Sequence, residues 1–254
     1  MSRALAIAVN TFRETIRDRI LGVIVVFALL MIVGSLWLAS ISLGQEGRMM
    51  KDFGLVAVSL FGLIVAVFVA ANLVHKEVEK RTVYVIFSKP VGRTQFIFAK
   101  FIGLAATLAC VLAGMGLFLF FADWAVSKVP SAMILAATAL IYLELLVVVA
   151  VTIVLSTMTS AILASVLGIT VYVAGQLGRQ ALSLTSLGHS SVLKGLSWFV
   201  YVLIPNLNAV DVKPAVVGEV APDWSQVAAW SGYLVAYAVL SLLLASWLFS
   251  RKEF

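Results

Sequence analysis

The sequence predicts an all-α integral membrane protein with six transmembrane helices, and three observations carry this prediction. Of the 254 residues, 63% are hydrophobic and only 12% are charged. The mean hydropathy is +1.11, whereas soluble domains are about 45–50% apolar and about 25% charged. Apolar runs of about 20 residues, the length that crosses ~30 Å of hydrocarbon, recur along the chain. A soluble fold of this length cannot bury so much apolar side chain. Ordinary soluble enzymes, disordered chains and fibrous proteins are therefore excluded.

The apolar runs and the basic residues together predict the topology of one transmembrane domain covering 1–254. The predicted spans are about 20–41, 53–75, 97–122, 132–156, 160–178 and 228–249. With the N-terminus inside, the three inner segments 1–19, 76–100 and 250–254 hold 12 Lys and Arg residues, and the outer segments hold 6. This excess predicts that both termini are cytoplasmic. The apolar stretch 192–204 is too short to span and stops at Pro205, so we expect an outer re-entrant or interfacial helix there.

The N-terminal segment 1–19 is predicted to form an amphipathic helix. Leu5, Val9, Phe12, Ile16 and Ile20 recur at steps of three or four and share one helical face. Such a helix lies on the membrane surface. It serves either as a topogenic anchor or as an elbow helix that transmits movement to the first span, and the two roles are compatible.

The inner loop 76–96 has the composition of a docking element. A dense charged patch, residues 77–81, stands where the second span leaves the bilayer, and an apolar, aromatic stretch follows at 83–87. Pro90 and Gly92 then break the helix. A short apolar helix exposed between charged flanks favours contact with a partner protein. The alternative is an interfacial helix in a loop that is basic only for topological reasons.

Inside the predicted spans, one ionisable residue and one glycine-rich helix stand out. Glu144 is the only acidic or basic residue deep in a span, where a charge costs roughly 3 kcal/mol on insertion scales. It should face other helices or water, as a functional group or as a neutral acid hydrogen-bonded between helices. The fifth span carries Gly168, Thr170 and Gln176 among small residues that allow close helix approach. They indicate packing within one subunit, a dimer seam or a cavity wall.

The long outer segment 179–227 contains the sequence Pro205-Asn206-Leu207-Asn208, followed by Asp211 and Lys213. Loops of this length usually have a function or an internal structure. We expect either a cap over an exit path or a helical hairpin resting on the membrane.

The chain lacks the motifs of the common hydrolases. It contains no G-x-x-x-x-G-K-[ST] phosphate loop and no H-E-x-x-H motif. We therefore expect no enzyme activity, metal or cofactor in this chain. The net charge of +6 is typical of basic cytoplasmic loops rather than of nucleic-acid binding.

Several segments, in order along the whole chain, resemble the permeases of ABC-2-type transporters, most closely the subgroup with the nitrous-oxide-reductase maturation permease. The segments that carry the resemblance are 10–14, 17–19, 42–44, 51–55, 77–82, the turn 88–93 with Lys100, 203–207 and 251–254. The resemblance implies six spans, an N-terminal elbow helix, a cytoplasmic coupling helix between spans two and three, and a re-entrant outer hairpin before span six. It also implies a dimer of permeases on two copies of a separate subunit that binds ATP and Mg²⁺.

The resemblance assigns roles to two sets of residues. The ATPase-coupling set is Glu77, Glu79, Lys80, Arg81, Thr82, Val83, Tyr84, Phe87, Lys89, Pro90 and Arg93. Because the second and fifth spans line the central path in such permeases, the path or interface set is Asn72, Glu144, Gly168, Thr170 and Gln176.

These features predict a permease subunit, of an exporter, in a bacterial or archaeal inner membrane. The alternative is a secondary transporter that uses Glu144 as a proton carrier. A third possibility is a membrane anchor for assembly or signalling that transports nothing.

Overall fold

The computed structural model describes residues 3–17, 20–39, 45–79, 92–129, 131–186 and 204–251. Within these ranges the chain is helical and contains no strand, which confirms the all-α prediction. The helices are α1 (Arg3–Arg17), α2 (Ile20–Ala39), α3 (Glu46–Glu79), α4 (Arg93–Ser127), α5 (Met133–Met158), α6 (Ala161–Ser186), α7 (Lys213–Gly218) and α8 (Trp224–Arg251), with a 3-10 turn at Leu207–Val210.

Each predicted span coincides with one long helix, and most of these helices extend beyond the apolar run. The third helix begins at Glu46 instead of 53, and α4 continues to Ser127. Backbone hydrogen bonds carry a helix into polar sequence, so hydropathy marks only its apolar part. Within the described ranges, four helices are long and apolar enough to cross a membrane: Glu46–Asn72, Thr94–Ser127, Met133–Met158 and Trp224–Arg251. Helices α2 and α6 contribute shorter apolar stretches, Ile24–Gly34 and Ala161–Leu177.

Helix α5 lies at the centre of the bundle. It packs against α3, α4, α6 and α8, and its residues Ile141, Leu145, Val148 and Ile153 are at most 2% exposed. A helix that is apolar on all sides is stable only when neighbours cover it. Helix α5 is therefore the element around which the others are arranged.

The outer faces of the bundle are apolar. On α3, Val56, Leu60, Ile64 and Phe68 recur every fourth residue and are each 41–54% exposed. A continuous stripe of this kind is far more apolar than the surface of a soluble monomer. It is the surface expected where a helix contacts lipid.

Aromatic side chains mark the two ends of α8. Trp224 is exposed at its first turn, and the Arg251 guanidinium lies 4.0 Å from the ring centroid of Trp247 at its last turn. The two tryptophans are separated by roughly 34 Å along the helix, close to the thickness of a bilayer core. Tryptophan prefers the boundary between lipid and water.

The amphipathic helix α1 forms as expected, but its packed face differs from the predicted apolar one. Ala8, Thr11 and Thr15 are buried against α4, whereas Leu5 is 47% exposed. The close approach depends on Gly103, where an added Cβ would lie 2.5 Å from the carbonyl oxygen of Ala8. Small residues dock α1 on α4, because the large apolar side chains on the adjacent face would hold the helices apart.

A segment between α6 and α8 folds against the bundle. We call residues 204–219 the capping segment; it includes the 3-10 turn and α7. Leu207, Val210 and Val216 are at most 1% exposed and the segment contacts α3, α5, α6 and α8. This burial shows that the described part of the outer segment packs on the helix bundle. The expected re-entrant helix at 192–204 lies outside the described residues except for its last position.

We expect Gly103→Ala to destabilise the fold by about 1 to 2 kcal/mol. Overpacking costs about 1–3 kcal/mol, and the better helix propensity of alanine returns up to ~1 kcal/mol. Thermal unfolding of the purified variant in detergent measures the loss. Gly232→Ala on α8 is the matched control, since nothing lies within 4 Å of the added Cβ there. Equal unfolding temperatures for the two variants would contradict the docking of α1 on α4.

Candidate functional site

The carboxyl group of Glu144 is buried in the centre of the bundle. The residue is 1% exposed and lies near the middle of α5, about 16 Å from its start and about 21 Å from its end. Its Oε2 accepts a hydrogen bond of 2.8 Å from Nε2 of Gln176 on α6. The structure thus brings together two of the residues expected to line a path or interface. Both belong to helices joined by a tight turn, which keeps the two positions at the same height.

Two further side chains continue this polar contact toward α3. Tyr172, one turn before Gln176 on α6, lies beside Gln176 and beside Ser59 of α3. Ser59 is buried on α3 and donates to the carbonyl oxygen of Leu55. Three helices therefore each contribute a polar side chain to one buried cluster.

The capping segment adds a fourth contribution. Nδ2 of Asn208 donates a 2.8 Å hydrogen bond to the backbone oxygen of Gln176. The segment can come this close because position 175 is glycine: an added Cβ would lie 2.7 Å from the carbonyl oxygen of Pro205. We call Ser59, Glu144, Tyr172, Gln176 and Asn208 the polar cluster.

The charges around the polar cluster do not balance. The charged side chains acting on Glu144 among the described residues are Asp211 and Lys213 of the capping segment. These two pair with each other at 3.8 Å. Glu144 consequently has a neutral amide as its hydrogen-bond partner and no cation of its own in the described part of the chain.

The cluster also contains unsatisfied polar atoms. Oε1 of Glu144 has no hydrogen-bond partner among the described residues. Outside the polar cluster, both side-chain polar atoms of Asn206, which is 5% exposed and lies two residues before Asn208, also lack a hydrogen-bond partner among the described residues. Buried polar atoms in native structures are almost always paired with protein, water or an ion. The arrangement can therefore accept a small polar or charged species.

A second polar site ties the start of α3 to the capping segment. Nζ of Lys51 donates to Oε1 of Glu219 at 3.0 Å. The lysine is buried and the carboxylate is exposed. Hydrogen bonding to Lys51 and its positive charge lower the pKa of Glu219 below its usual value. Glu219 also adopts the left-handed conformation, with φ 56°, that ends α7.

A cleft of about 560 Å³ opens beside this ion pair. Its lining comes from α3, α4 and the capping segment: Gln45, Glu46, Gly47, Arg48, Val126, Ser127 and Glu219. The hydroxyl of Ser127 donates to Oδ1 of the buried Asp123 at 2.9 Å. The cleft is lined by charges of both signs, so it does not favour one ligand charge.

The remaining path or interface candidates are separate from the polar cluster. Gly168 packs inside the subunit, where an added Cβ would lie 2.5 Å from Oγ1 of Thr152. Thr170 is exposed and donates to the backbone of Val166. Asn72 likewise bonds within its own helix, to the oxygen of Phe68. The small residues of the fifth span were expected to serve packing within one subunit, a dimer seam or a cavity wall. The contact of Gly168 with Thr152 is packing within one subunit.

The predicted coupling residues fall almost wholly outside the described residues. The α3 backbone is described through Glu79, but the side chains of Glu77 and Glu79 are not, nor is that of Arg93 at the start of α4. The others lie in the undescribed stretch 80–91: Lys80, Arg81, Thr82, Val83, Tyr84, Phe87, Lys89 and Pro90.

Sequence reasoning missed Ser59, Tyr172 and Asn208 as partners of Glu144. Nothing in the sequence around these residues distinguishes them, because only tertiary packing brings them into the polar cluster. The one available signal was the Asn-Leu-Asn sequence after Pro205 in the outer segment, which is unusual beside long apolar runs. The ion pair between Lys51 and Glu219, 168 residues apart, carried no sequence signal.

The described residues define an all-helical protein with several membrane-length apolar helices around a buried polar cluster. A family model described as "Protein of unknown function (DUF2705)" matches residues 45–254. The chain therefore belongs to the DUF2705 family. No curated protein matches the chain.

We expect Glu219→Gln to loosen the capping segment at neutral pH. The pKa of this carboxyl is lowered in the folded protein, so its contribution to stability is present above the unfolded pKa and is lost as the pH falls through the lowered value. The unfolding temperatures of wild type and Glu219→Gln should differ at pH 7 and converge in acid. Asp52→Asn, at an exposed carboxyl next to Lys51 on α3, is the control. A difference that persists at pH 3 would show that the ion pair is not its cause.

Proposed function

We propose that the chain is the membrane-spanning permease subunit of an ABC-2-type transporter and works as an exporter. A separate subunit binds and hydrolyses ATP with Mg²⁺, and two copies of it act on two copies of the permease. The proposed location is a bacterial or archaeal inner membrane, with both termini in the cytoplasm. In this proposal α2 and α6 also cross the membrane, which makes six spans with the four membrane-length helices.

The convergence of several elements at one end of the bundle is the observation that carries the proposal. Helix α1 docks on α4 at Gly103, about 15 Å from the start of α4. The rings of Phe96 on α4 and Phe249 on α8 stack with centroids 6.1 Å apart. Helix α4 is thus in contact with both α1 and α8 near its start. A partner acting on the segment that precedes α4 would therefore act on α1 and α4 together.

The distribution of charge supports the same orientation. Segments 1–19, 76–100 and 250–254, to which α1, the start of α4 and the end of α8 belong, are the ones rich in Lys and Arg. Basic segments are retained in the cytoplasm, where a soluble ATPase would be found. The loop with the apolar stretch 83–87 would then face that partner.

The proposed mechanism is alternating access by rigid-body movement. ATP closes the dimer of partner subunits, and closure pushes the coupling loops together. Helix α1 and the spans follow, which switches the cavity from inner to outer access. The permease contributes different substrate affinities in the two states, without which no net transport follows. An apolar interior suits lipids, hydrophobic drugs or peptides as substrates.

A second function, ion-coupled secondary transport with Glu144 as proton carrier, is favoured by one observation. The carboxyl group is buried with a neutral partner and one unpaired oxygen. Such intramembrane carboxyls mark proton relays in many transporters. The two functions differ in their energy source, so a partner ATPase separates them.

We expect the tagged protein, purified from native membranes in mild detergent, to carry a stoichiometric ATP-binding subunit with ATPase activity. Mass spectrometry identifies the partner and a phosphate-release assay measures the activity. Replacing the apolar residues 83–87 by serine should release the partner without preventing membrane insertion. A pure protein without any ATPase would refute the permease proposal and favour the ion-coupled carrier.

Reversing the charges of Glu79 and Arg81 together should uncouple ATP hydrolysis from transport. The change leaves the net charge constant but inverts the complementarity of the proposed docking surface. ATPase activity and substrate flux are measured in the same proteoliposomes, and Arg48→Glu, near the other end of α3, is the control for insertion. Normal transport by the double variant would show that this patch is not the coupling region.

For the ion-coupled alternative, we expect Glu144→Gln to abolish pH-dependent flux, because glutamine cannot release a proton. Flux into proteoliposomes under an imposed pH gradient is the measurement. Unchanged flux would remove Glu144 from the transport mechanism.

A further inference from the structure

Among the described residues, Glu144 and the charged side chains that act on it, Lys213 and Asp211, sum to one negative charge when all three are ionised. Asp211 and Lys213 cancel each other at 3.8 Å, and the remaining group is Glu144. The titratable group beside it is Tyr172 of α6, which is neutral as a phenol. A lone carboxylate in a low-dielectric interior costs several kcal/mol unless a positive charge compensates it. The charge count therefore asks for one monovalent positive charge.

The hydrogen bonds of Glu144 indicate where that charge would be held. Gln176 donates to Oε2 at 2.8 Å, and Oε1 has no hydrogen-bond partner among the described residues. The residue is only 1% exposed. A second set of unpaired oxygen and nitrogen atoms belongs to Asn206 in the capping segment. A buried carboxylate oxygen without a partner suits a proton or an alkali-metal ion rather than a large solute.

We propose that Glu144 is the anchor of a binding site for one small monovalent cation, a proton or an alkali-metal ion, and that its occupancy fastens the capping segment. The site is built from α5 and α6 and is closed by the capping segment. The proposal concerns binding, and it holds whether or not the chain works with an ATPase.

The link to the capping segment runs through one residue. Gln176 contacts Glu144 with its side chain and accepts from Asn208 with its backbone oxygen. An uncompensated carboxylate draws water toward itself and loosens α6 against α5, and the anchor point of Asn208 moves with α6. A bound cation neutralises the carboxylate and keeps the two helices and the capping segment together.

The test compares thermal unfolding of the purified protein in sodium, potassium and choline chloride at equal ionic strength, between pH 5 and 9. If the occupant is an alkali-metal ion, Na⁺ or K⁺ raises the unfolding temperature over choline, by about 3–6 °C at ten times the dissociation constant. If the occupant is a proton, the three salts agree and the unfolding temperature rises as the pH falls. Either result supports the site, provided that Glu144 is required for it.

Glu144→Gln tests whether Glu144 is required, because glutamine is nearly isosteric with glutamate and permanently neutral. It should lose the ion or pH dependence and unfold at the temperature of the occupied wild type in every buffer. Asp52→Asn, which removes an exposed carboxylate, should keep the full dependence. A Glu144→Gln variant with the same dependence as wild type would overturn the proposal. If it does not fold, Glu144→Asp takes its place: a weaker response than wild type supports the site, and an unchanged one overturns it.

Hydrogen exchange of the backbone amides in 204–218, corrected for intrinsic rates, tests the link to the capping segment. Exchange should be slower in the occupied wild type than in the unoccupied protein, and slow in Glu144→Gln under all conditions. Exchange that does not respond to occupancy would overturn the fastening of the capping segment.

Discussion

Burial of the Glu144 carboxyl at the centre of α5 constrains everything packed around it. Helix α5 contacts α3, α4, α6 and α8, so a polar group in its middle must be satisfied by whichever helices face it. Gln176 meets that requirement directly, and Tyr172 and Ser59 extend it to α3. An apolar residue at 144 would pack with less cost, but it would leave the amide of Gln176 unpaired. The polar cluster thus fixes the rotation of α6 against α5 more strictly than apolar packing does.

The capping segment is held at two points that differ in chemistry. Asn208 bonds to the backbone beside the polar cluster, and Glu219 pairs with Lys51 near the start of α3. The first contact is a neutral hydrogen bond that depends on the close approach at Gly175, whereas the second joins a buried lysine to an exposed carboxylate and is sensitive to salt and acid. Between them, Leu207, Val210 and Val216 supply apolar burial. The segment is therefore anchored to α6 and α3 separately, so a relative movement of these helices must break one of the two contacts.

Hydropathy predicts the six long helices because the membrane demands about 20 apolar residues wherever a chain crosses it. It does not predict that α6 runs on to Ser186 or that α3 begins at Glu46, since helix hydrogen bonds do not depend on polarity. Periodicity predicts α1 but not its packed face, because Ala8 and Thr11 are selected by the closeness of α4 at Gly103. Glu144 is identifiable by its position in an apolar run. The residues around Glu144 are not identifiable in this way, because they come from helices and loops distant in sequence. The end of α7 is also not predicted by glycine, since Glu219 rather than the preceding Gly218 takes the left-handed conformation there.

The lengths of α3 and α4 have a mechanical consequence. With 34 and 35 residues, each is about 50 Å long and exceeds a ~30 Å hydrocarbon core by about 20 Å. Tilt takes up part of such an excess and protrusion the rest. Part of the excess lies where α3 begins and α4 ends, because Gly47 of α3 packs against Ser127 of α4 there. The capping segment reaches this same end through Glu219, which pairs with Lys51 and lines the cleft beside Ser127, so a movement of the capping segment would act on both helices at once.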